Sequence, residues 1–364
     1  MDDFTLDLSP HHYVKRKGLL SSLNEIIAPF GKSVFILFDP FIFGKYGPSV
    51  TETLQERDFT IIQGTLKRNC CVLEGQTWVN QLQSFPVGSV IGMGGGKTID
   101  LAKWVAANLE KPFIAIPTST ATCAAVTGIS PLYSPEGTYK YTVVTTPPTI
   151  TLVDPDILLT QPPRLLAAGM ADSMAKWVEA KGMRKQHHKR IHSASALSIA
   201  RLIYEFLVRK GTRALEDLEK GQWTETLSEV TDICLITTGF VSTIGGKAVR
   251  VSAAHAFQDA FIGRGVKKDV LHGELVAFGQ IVQMILEKVG DSLIHRHLLL
   301  FKRWRLPLTL EALGIQPEDA SFEIAVDRMF EKNSPLHNLY LIPSKEEVRA
   351  AILKADALGK NILA

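Results

Sequence analysis

Between Ser33 and Ile116 short apolar runs alternate with amphipathic stretches, and this alternation limits the fold more than any other feature of the chain. Ser33–Phe38 (SVFILF), Asp58–Ile62, Cys70–Leu73, Ser89–Ile91 and Phe113–Ile116 read as strands. Leu20–Ile27, Ser49–Arg57, Thr77–Gln83 and Ile99–Leu109 read as the helices around and between them. Strands separated by helices form a parallel sheet covered on both faces, with ligands at the carboxyl ends of the strands. Ile129–Tyr133 and Tyr139–Thr145, on either side of Pro135-Glu136-Gly137, read as a hairpin inserted in this region.

The pattern ends at Asp154-Pro155-Asp156 and Gln161-Pro162-Pro163. Beyond them Ala- and Leu-rich helical periodicity runs almost to the C-terminus, without strand signals. The expected organisation is an α/β domain over residues 1–160 and an all-helical domain over 161–364, with the cleft between them as the default site. A chain of 364 residues exceeds one ordinary core, which agrees with two domains.

Several function classes drop out on bulk properties. A formal net charge of +3 is too weak to argue for nucleic acid or an anionic membrane. The basic run Arg184, Lys185, Lys189 and Arg190, interleaved with His187, His188 and His192, reads as a solvated helix face. The first ten residues, MDDFTLDLSP, carry acids where a secretory signal carries bases and an apolar block. No segment reads as the ~20 apolar residues of a membrane span. Cys70, Cys71, Cys123 and Cys234 form neither metal nor disulfide spacing, so a reducing cytoplasm is the expected compartment.

The stretch SVIGMGGGKTIDLAKW, Ser89 to Trp104, holds the first chemical signal. A triphosphate-binding loop needs glycine five positions before the Gly of Gly96-Lys97-Thr98, and that position is Ile91. The Gly-x-Gly-x-x-Gly dinucleotide pattern also fails, because Lys97 stands at its third glycine. Still, Ile99, Ala102, Ala106 and Leu109 fall on one helix face. Gly94, Gly95 and Gly96 therefore leave bare N–H groups at a helix N-terminus, where the dipole favours an anion such as a diphosphate. The alternative is a plain glycine-rich βα turn.

The second signal is a possible metal set. His11, His12, His187, His188, His192, His295 and His297 lie in polar or terminal surroundings and read as solvent-facing. His255, in VSAAHAFQDAF, and His272, opening LHGELVAFGQIV, lie instead on apolar helices joined by the turn-forming FIGRGVKKDV. Asp172 sits at what reads as the start of a small-residue helix, AAGMADSMAKWVEA, where an unpaired carboxylate is costly. One Asp and two His make a catalytic zinc set with positions left for water or substrate; satisfied core histidines are the alternative.

Together the stretches GGGKTIDLAK, IPTSTATCAAVTGISPLY, GMADSMAKWVEA, AAHAF, LHGELVAFG, LPLTLEALGI and LHNLYLIPSKEEVRAAILKADALG resemble the glycerol dehydrogenase branch of the iron-containing alcohol dehydrogenase and dehydroquinate synthase-like superfamily. The resemblance covers almost the whole chain. It implies a Rossmann-like N-terminal sheet domain, an all-α C-terminal domain, a homo-oligomer, and NAD(P)-linked hydride transfer between a small alcohol and its carbonyl compound. By the same resemblance Asp172, His255 and His272 match divalent-metal ligands. Gly94, Gly95, Gly96 and Lys97 match the diphosphate loop, and Thr118, Thr127, Ile129 and Tyr133 match positions lining the cofactor. Asp39 matches the acid near the adenosine ribose, which favours NAD over NADP; Lys45 nearby is a residue that could admit the extra phosphate of NADP.

Two departures sharpen the expectation. Iron-dependent members carry another histidine four residues after the aspartate, and here that residue is Lys176, so the three-ligand zinc-type site is the better match. Glycerol dehydrogenases place an aspartate in the polyol pocket where this chain has Cys123, and TATCAAVTGIS is closer to the hydroxycarboxylate dehydrogenases. Removing that anion lets a substrate carboxylate approach; Arg250, five residues before His255, is a second candidate for binding it, although a surface role fits it better. Glycerol dehydrogenase, glycerol-1-phosphate dehydrogenase, a dehydroquinate-synthase-like cyclase and a non-catalytic NAD-binding relative are the competing expectations. The cyclase would need converging basic residues, and a non-catalytic relative would have lost a ligand.

Overall fold

The structure, a computed structural model, describes residues 10–183 and 190–364. Most of the basic run near residue 187 therefore lies outside the described residues; Arg190 and His192 stand at the start of a helix. The chain separates into two compact units, the first ending at Gln161 and the second beginning at Pro162.

In the first unit six parallel strands form one sheet: β1 (His12–Lys15), β2 (Ser33–Phe38), β3 (Thr60–Thr65), β4 (Ser89–Gly94), β5 (Phe113–Pro117) and β8 (Ile150–Val153), in the order β1-β8-β5-β4-β2-β3. The antiparallel pair β6 (Ile129–Tyr133) and β7 (Tyr139–Val144) forms the hairpin. Period-2 alternation along β2 sends Phe35 and Leu37 into one core cluster and Val34, Ile36 and Phe38 into another. Both clusters are sealed by helices: α2 (Pro40–Gln55) contributes Ile42, Val50 and Leu54 to one, and α4 (Gly96–Asn108) contributes Ile99, Ala102 and Val105 to the other. Both faces of β2 are thus apolar, as a parallel sheet demands.

The chain reverses direction across the β2–β4 pair, since β2 leads outward to β3 while β4 leads the other way to β5. Such a reversal opens a ligand-binding crevice at the carboxyl ends of the two strands. Asp39 follows β2 there, and Gly94-Gly95-Gly96 closes β4.

Several expected elements shift. Asp58 turns at φ 61°, so the strand expected from it begins at Thr60. Cys70–Leu73 is not a strand: Cys71 is extended, and helix α3 (Val72–Leu82) starts directly after it. Its buried residues Glu74, Gly75, Val79 and Leu82 follow helical spacing, whereas Val72 and Leu73 face outward. The helix expected from Ser49 starts at Pro40, because Asp39 caps it and proline suits its first turn. Leu20–Ile27 divides into a 3₁₀ turn (Leu19–Ser22) and the short α1 (Leu23–Ile27). The edge strand β1 and its neighbour β8 were not foreseen.

The short α5 (Pro155–Leu158) ends the first unit. The second unit contains α6 (Pro163–Lys181), α7 (Ile191–Glu219), α8 (Glu225–Asp232), α9 (Thr238–Arg250), α10 (Ala253–Phe261), α11 (His272–Leu286), α12 (Asp291–Arg303) and further helices ending in Lys345–Leu363. Among its described residues no strand occurs beyond the isolated Met183–Leu339 bridge. Two segments, Ile191–Glu219 and Glu225–Gly246, reach mean hydropathies of 1.2 and 1.3 over 18 residues, which corrects the sequence expectation that none approached a membrane span. Core helices of water-soluble proteins pass the same test. His297 also departs from expectation: it is 2% exposed, stacked on Tyr204 and edge-on to Phe301.

Candidate functional site

Asp172 lies in the middle of α6, not at a helix start, with Ala171 and Ala175 buried around it. His255 occupies the first turn of α10, and His272 is the first residue of α11. Two glycines let α11 approach both partners at backbone contact. A Cβ on Gly273 would stand 2.0 Å from the Ala168 carbonyl oxygen of α6, and one on Gly279 2.5 Å from that of Ala254 in α10. Ala175, Ala254 and Val276 form the small buried cluster that joins the three helices. At the start of α11, Glu274 accepts from the Leu271 N–H (2.9 Å) and pairs with Arg164 of α6, so the turn carrying His272 is tied down.

The result is convergence. One ligand atom from each of Asp172, His255 and His272 lies within 4.8 Å of the others. Asp172 Oδ1 is buried without a hydrogen bond, although His255 Nε2 stands 3.3 Å and His272 Nε2 3.5 Å away. Three donor atoms thus face a common point, and the set of one carboxylate and two imidazoles suits zinc or ferrous iron. The residues present fit a divalent cation.

Glu179 was not foreseen, and it fixes the centre. Its Oε2 accepts from His255 Nδ1 at 2.7 Å, which turns Nε2 toward Asp172. Its Oε1 accepts from the N–H groups of Ser252 (2.6 Å) and His255 (3.0 Å), capping α10 from another helix. A carboxylate behind a metal-binding imidazole orients the ring and raises its basicity. Burial disfavours an imidazolium, yet Glu179 and Asp172 raise the His255 pKa to about 9. Burial likewise opposes ionisation of Asp172, but Lys176 and the two imidazoles hold its carboxyl well below the usual range. A cation binding here displaces protons, so its affinity falls with pH.

Arg250 is not related to His255 by a continuous helix. It ends α9, Val251 is extended (φ −145°, ψ 145°), and α10 begins only at Ala253. Helical spacing therefore does not relate the directions of the two side chains.

In the first unit the nucleotide candidates cluster around the β2–β4 crevice. The Asp39 N–H donates to Met93 O (3.0 Å), and the Thr118 N–H to Gly94 O (3.1 Å). Close approach requires glycine here: a Cβ on Gly94 would lie 2.9 Å from Asp39 Cβ and from Thr98 Cβ. Gly95 and Gly96 form the N-terminus of α4, with bare N–H groups. The Asp39 carboxylate accepts from the N–H groups of Phe41 (3.0 Å) and Ile42 (3.4 Å), which makes it the cap of α2 as well. Lys97 Nζ donates to Asn69 Oδ1 (2.7 Å) and lies 5.7 Å from the Tyr133 ring centre; burial lowers its pKa. Ile129 is held to α4 through its carbonyl, 2.7 Å from Lys103 Nζ. Thr127 is buried just before the hairpin, and Cys123, half-buried, precedes the 3₁₀ turn Ala124–Val126.

The chain as a whole is similar to known proteins. The sequence profile described as iron-containing alcohol dehydrogenase matches residues 10–155. The chain is 31% identical over 275 residues to hydroxycarboxylate dehydrogenase A of Escherichia coli, spanning 74% of this chain and 75% of that protein. It is 28% identical over 362 residues to a glycerol dehydrogenase of Citrobacter freundii, spanning 98% of each. Among solved structures, a probable glycerol dehydrogenase from Sinorhizobium meliloti superposes with a TM-score of 0.85 at 25% identity, over 97% of this chain and 98% of that one. With relatives this similar over this much of its length, the chain belongs to the iron-containing alcohol dehydrogenase family, as an oxidoreductase of alcohols and their carbonyl compounds.

Proposed function

We propose that the protein is a zinc-dependent, NAD-preferring dehydrogenase that interconverts a small 2-hydroxy acid and its 2-oxo acid. The observation that carries the metal dependence is the unbonded, buried Asp172 Oδ1 facing two imidazole nitrogens. A divalent cation held there supplies Lewis acidity toward a substrate oxygen, and a nicotinamide supplies or accepts the hydride. Asp172, His255 and His272 hold and orient that cation, while Glu179 keeps the proton of His255 on Nδ1. The N–H groups of Gly95 and Gly96 bind the diphosphate at the start of α4. Asp39 takes the ribose hydroxyls and repels a 2′-phosphate.

Cys123 decides the substrate class in this reading. Two of the relatives are named glycerol dehydrogenase and hydroxycarboxylate dehydrogenase A, which brackets the choice. A thiol in place of a pocket aspartate leaves room for a substrate carboxylate. Steady-state rates with polyols, aldehydes and 2-oxo acids, each with NAD(H) and NADP(H) and added zinc, are the test. Turnover of 2-oxo acids with NADH is the expected result. Cys123→Asp places two like charges ~4 Å apart, about 4 kcal/mol at an effective dielectric of 20, so it lowers 2-oxo acid turnover more than a hundredfold. Efficient glycerol oxidation with inert 2-oxo acids overturns the hydroxy-acid reading in favour of a polyol dehydrogenase.

A further inference from the structure

One buried cation at the metal centre has so far been described only through its effect on the Asp172 carboxyl. Lys176 lies one helical turn after Asp172 on α6, and its side chain is 3% exposed. Its Nζ stands 3.7 Å from Asp172 Oδ1, 3.5 Å from His255 Nε2 and 3.5 Å from the Arg250 carbonyl oxygen. All three contacts sit at or beyond the outer limit of a hydrogen bond. Lys103, the other buried lysine among the described residues, shows what a satisfied ammonium looks like. Lys103 Nζ is 2.9 Å from Asp100 Oδ1 and 2.7 Å from the Ile129 carbonyl oxygen. Removing an ammonium from water is costly unless short bonds to an acceptor compensate, so the loosely held Lys176 is matched to a further anion.

The charges around the point say the same. Asp172 and Glu179 supply two negative charges, while a divalent cation and the Lys176 ammonium supply three positive ones. Among these four groups one positive charge is in surplus, and the buried Asp259 nearby, whose carboxyl burial raises to about 7, offsets it only in part. A neutral polyol leaves it; a monoanionic substrate cancels it.

We propose that Lys176 is a substrate-binding residue whose ammonium receives the carboxylate of a 2-hydroxy or 2-oxo acid, with the reacting oxygen at the Asp172–His255–His272 point. The inference rests on the dehydrogenase reading above and narrows its substrates to small monoanions. It assigns specificity to a residue on the metal helix, in addition to Cys123. An alternative role, a neutral amine serving as fourth metal ligand in place of the histidine of iron-dependent relatives, gives different results in the same experiment.

The test uses the zinc-loaded full chain and its Lys176→Met and Lys176→Arg variants. Three readouts are taken: the ratio of kcat/KM for 2-oxobutanoate to that for the uncharged 1-hydroxy-2-butanone, the dissociation constant of oxamate from thermal shifts, and zinc per chain by elemental analysis. The expected result is a ratio about 10- to 100-fold lower in Lys176→Met, the loss of one charge-assisted hydrogen bond, with oxamate binding weakened in parallel. Lys176→Arg, which keeps the charge, retains most of the ratio, and zinc content is unchanged in both variants. An unchanged ratio in Lys176→Met overturns the proposal, as does zinc lost with the side chain, which identifies a metal ligand instead. If Lys176→Met does not fold, Lys176→Arg and wild-type oxamate binding decide: a wild type that binds no oxamate and prefers the neutral ketone sinks the inference. Turnover of that ketone then still supports the dehydrogenase reading. Oxamate binding that depends on Lys176 in a protein inactive on every substrate upholds the inference and defeats the dehydrogenase reading.

Discussion

Glu179 carries more of the centre than its distance from the reacting point suggests. It accepts three hydrogen bonds, one from the His255 ring and two from the backbone turn that presents it. In Glu179→Gln the amide must aim a donor either at two backbone N–H groups or at His255 Nδ1. Metal affinity is expected to fall about 10- to 100-fold, measured by chelator competition. Stability falls by about 1–3 kcal/mol in urea unfolding of the metal-free protein, because buried donors lose their acceptor. Undiminished affinity would reduce Glu179 to a helix cap. The asymmetry in legibility is physical. Asp172, His255 and His272 stand out in sequence because polar side chains in small, apolar helical stretches need an explanation. Glu179 has the same apolar surroundings and lies seven residues after Asp172, two turns along the same face of α6. That spacing was available as a signal, but the backbone N–H groups it caps belong to a turn that no periodicity announces. His297 was misread for the opposite reason: polar neighbours at His295 and Arg296 hide a position that helical rotation turns inward.

At the scale of elements, the centre exists because α11 lies against α6 and α10 without side chains in the way. Gly273→Ala would drive a methyl group into the Ala168 carbonyl, and that neighbour is backbone, which cannot rotate aside. The helix must move, and His272 moves with it. Expected outcomes are about 1–3 kcal/mol of overpacking destabilisation and weaker zinc binding, read from urea unfolding and metal titration. A variant with wild-type metal affinity would show that the close approach is dispensable. In the first unit, α2 offers a cleaner separation of two roles. Asp39 caps that helix and is assigned to the ribose as well. Asp39→Ser keeps a capping oxygen and removes the charge, whereas Asp39→Ala removes both. NAD preference over NADP, as a ratio of kcat/KM, should narrow in both variants, while only Asp39→Ala loses about 1 kcal/mol of stability. Retention of the full preference in Asp39→Ser would remove Asp39 from cofactor selection. The start of α2 was misplaced in sequence although Asp39-Pro40 is itself a helix-start signal; the helix contains Gly44, Gly47 and Pro48, which helix propensity disfavours. The strands β2, β4 and β5 were legible because both faces are apolar, whereas β1 (HYVK) is a partly exposed edge with no such run, and β8 (ITLV), though buried throughout, is only four residues long.

Across the whole molecule, each unit has its own proposed ligand set, and the second has its own response to solution conditions. The second unit contains a built-in acid sensitivity at His297, whose burial among Tyr204, Phe301 and Gln280 lowers its pKa to about 4. Unfolded, that ring titrates near ~6.5. Between these values the unfolded chain binds the extra proton, so stability is full above pH ~6.5 and falls with pH toward 4. At pH 5 the wild type should have lost about 2 kcal/mol more, relative to pH 7, than His297→Gln, an outcome that urea unfolding at the two pH values checks. The ligands supply the complementary experiment. A ligand at 100 times its dissociation constant adds about 2.7 kcal/mol to the state that binds it, or roughly 5–10 °C for a unit of this size. Zinc and NADH should each give a shift of that order in calorimetry. In His272→Ala the zinc shift should disappear, because the remaining Asp172 and His255 leave the cation mostly in water. The NADH shift should survive, since the glycine loop, Asp39 and the two cores flanking β2 belong to the first unit. Loss of both shifts together would mean that the nucleotide fold depends on the metal, and persistence of the zinc shift would remove His272 from the ligand set.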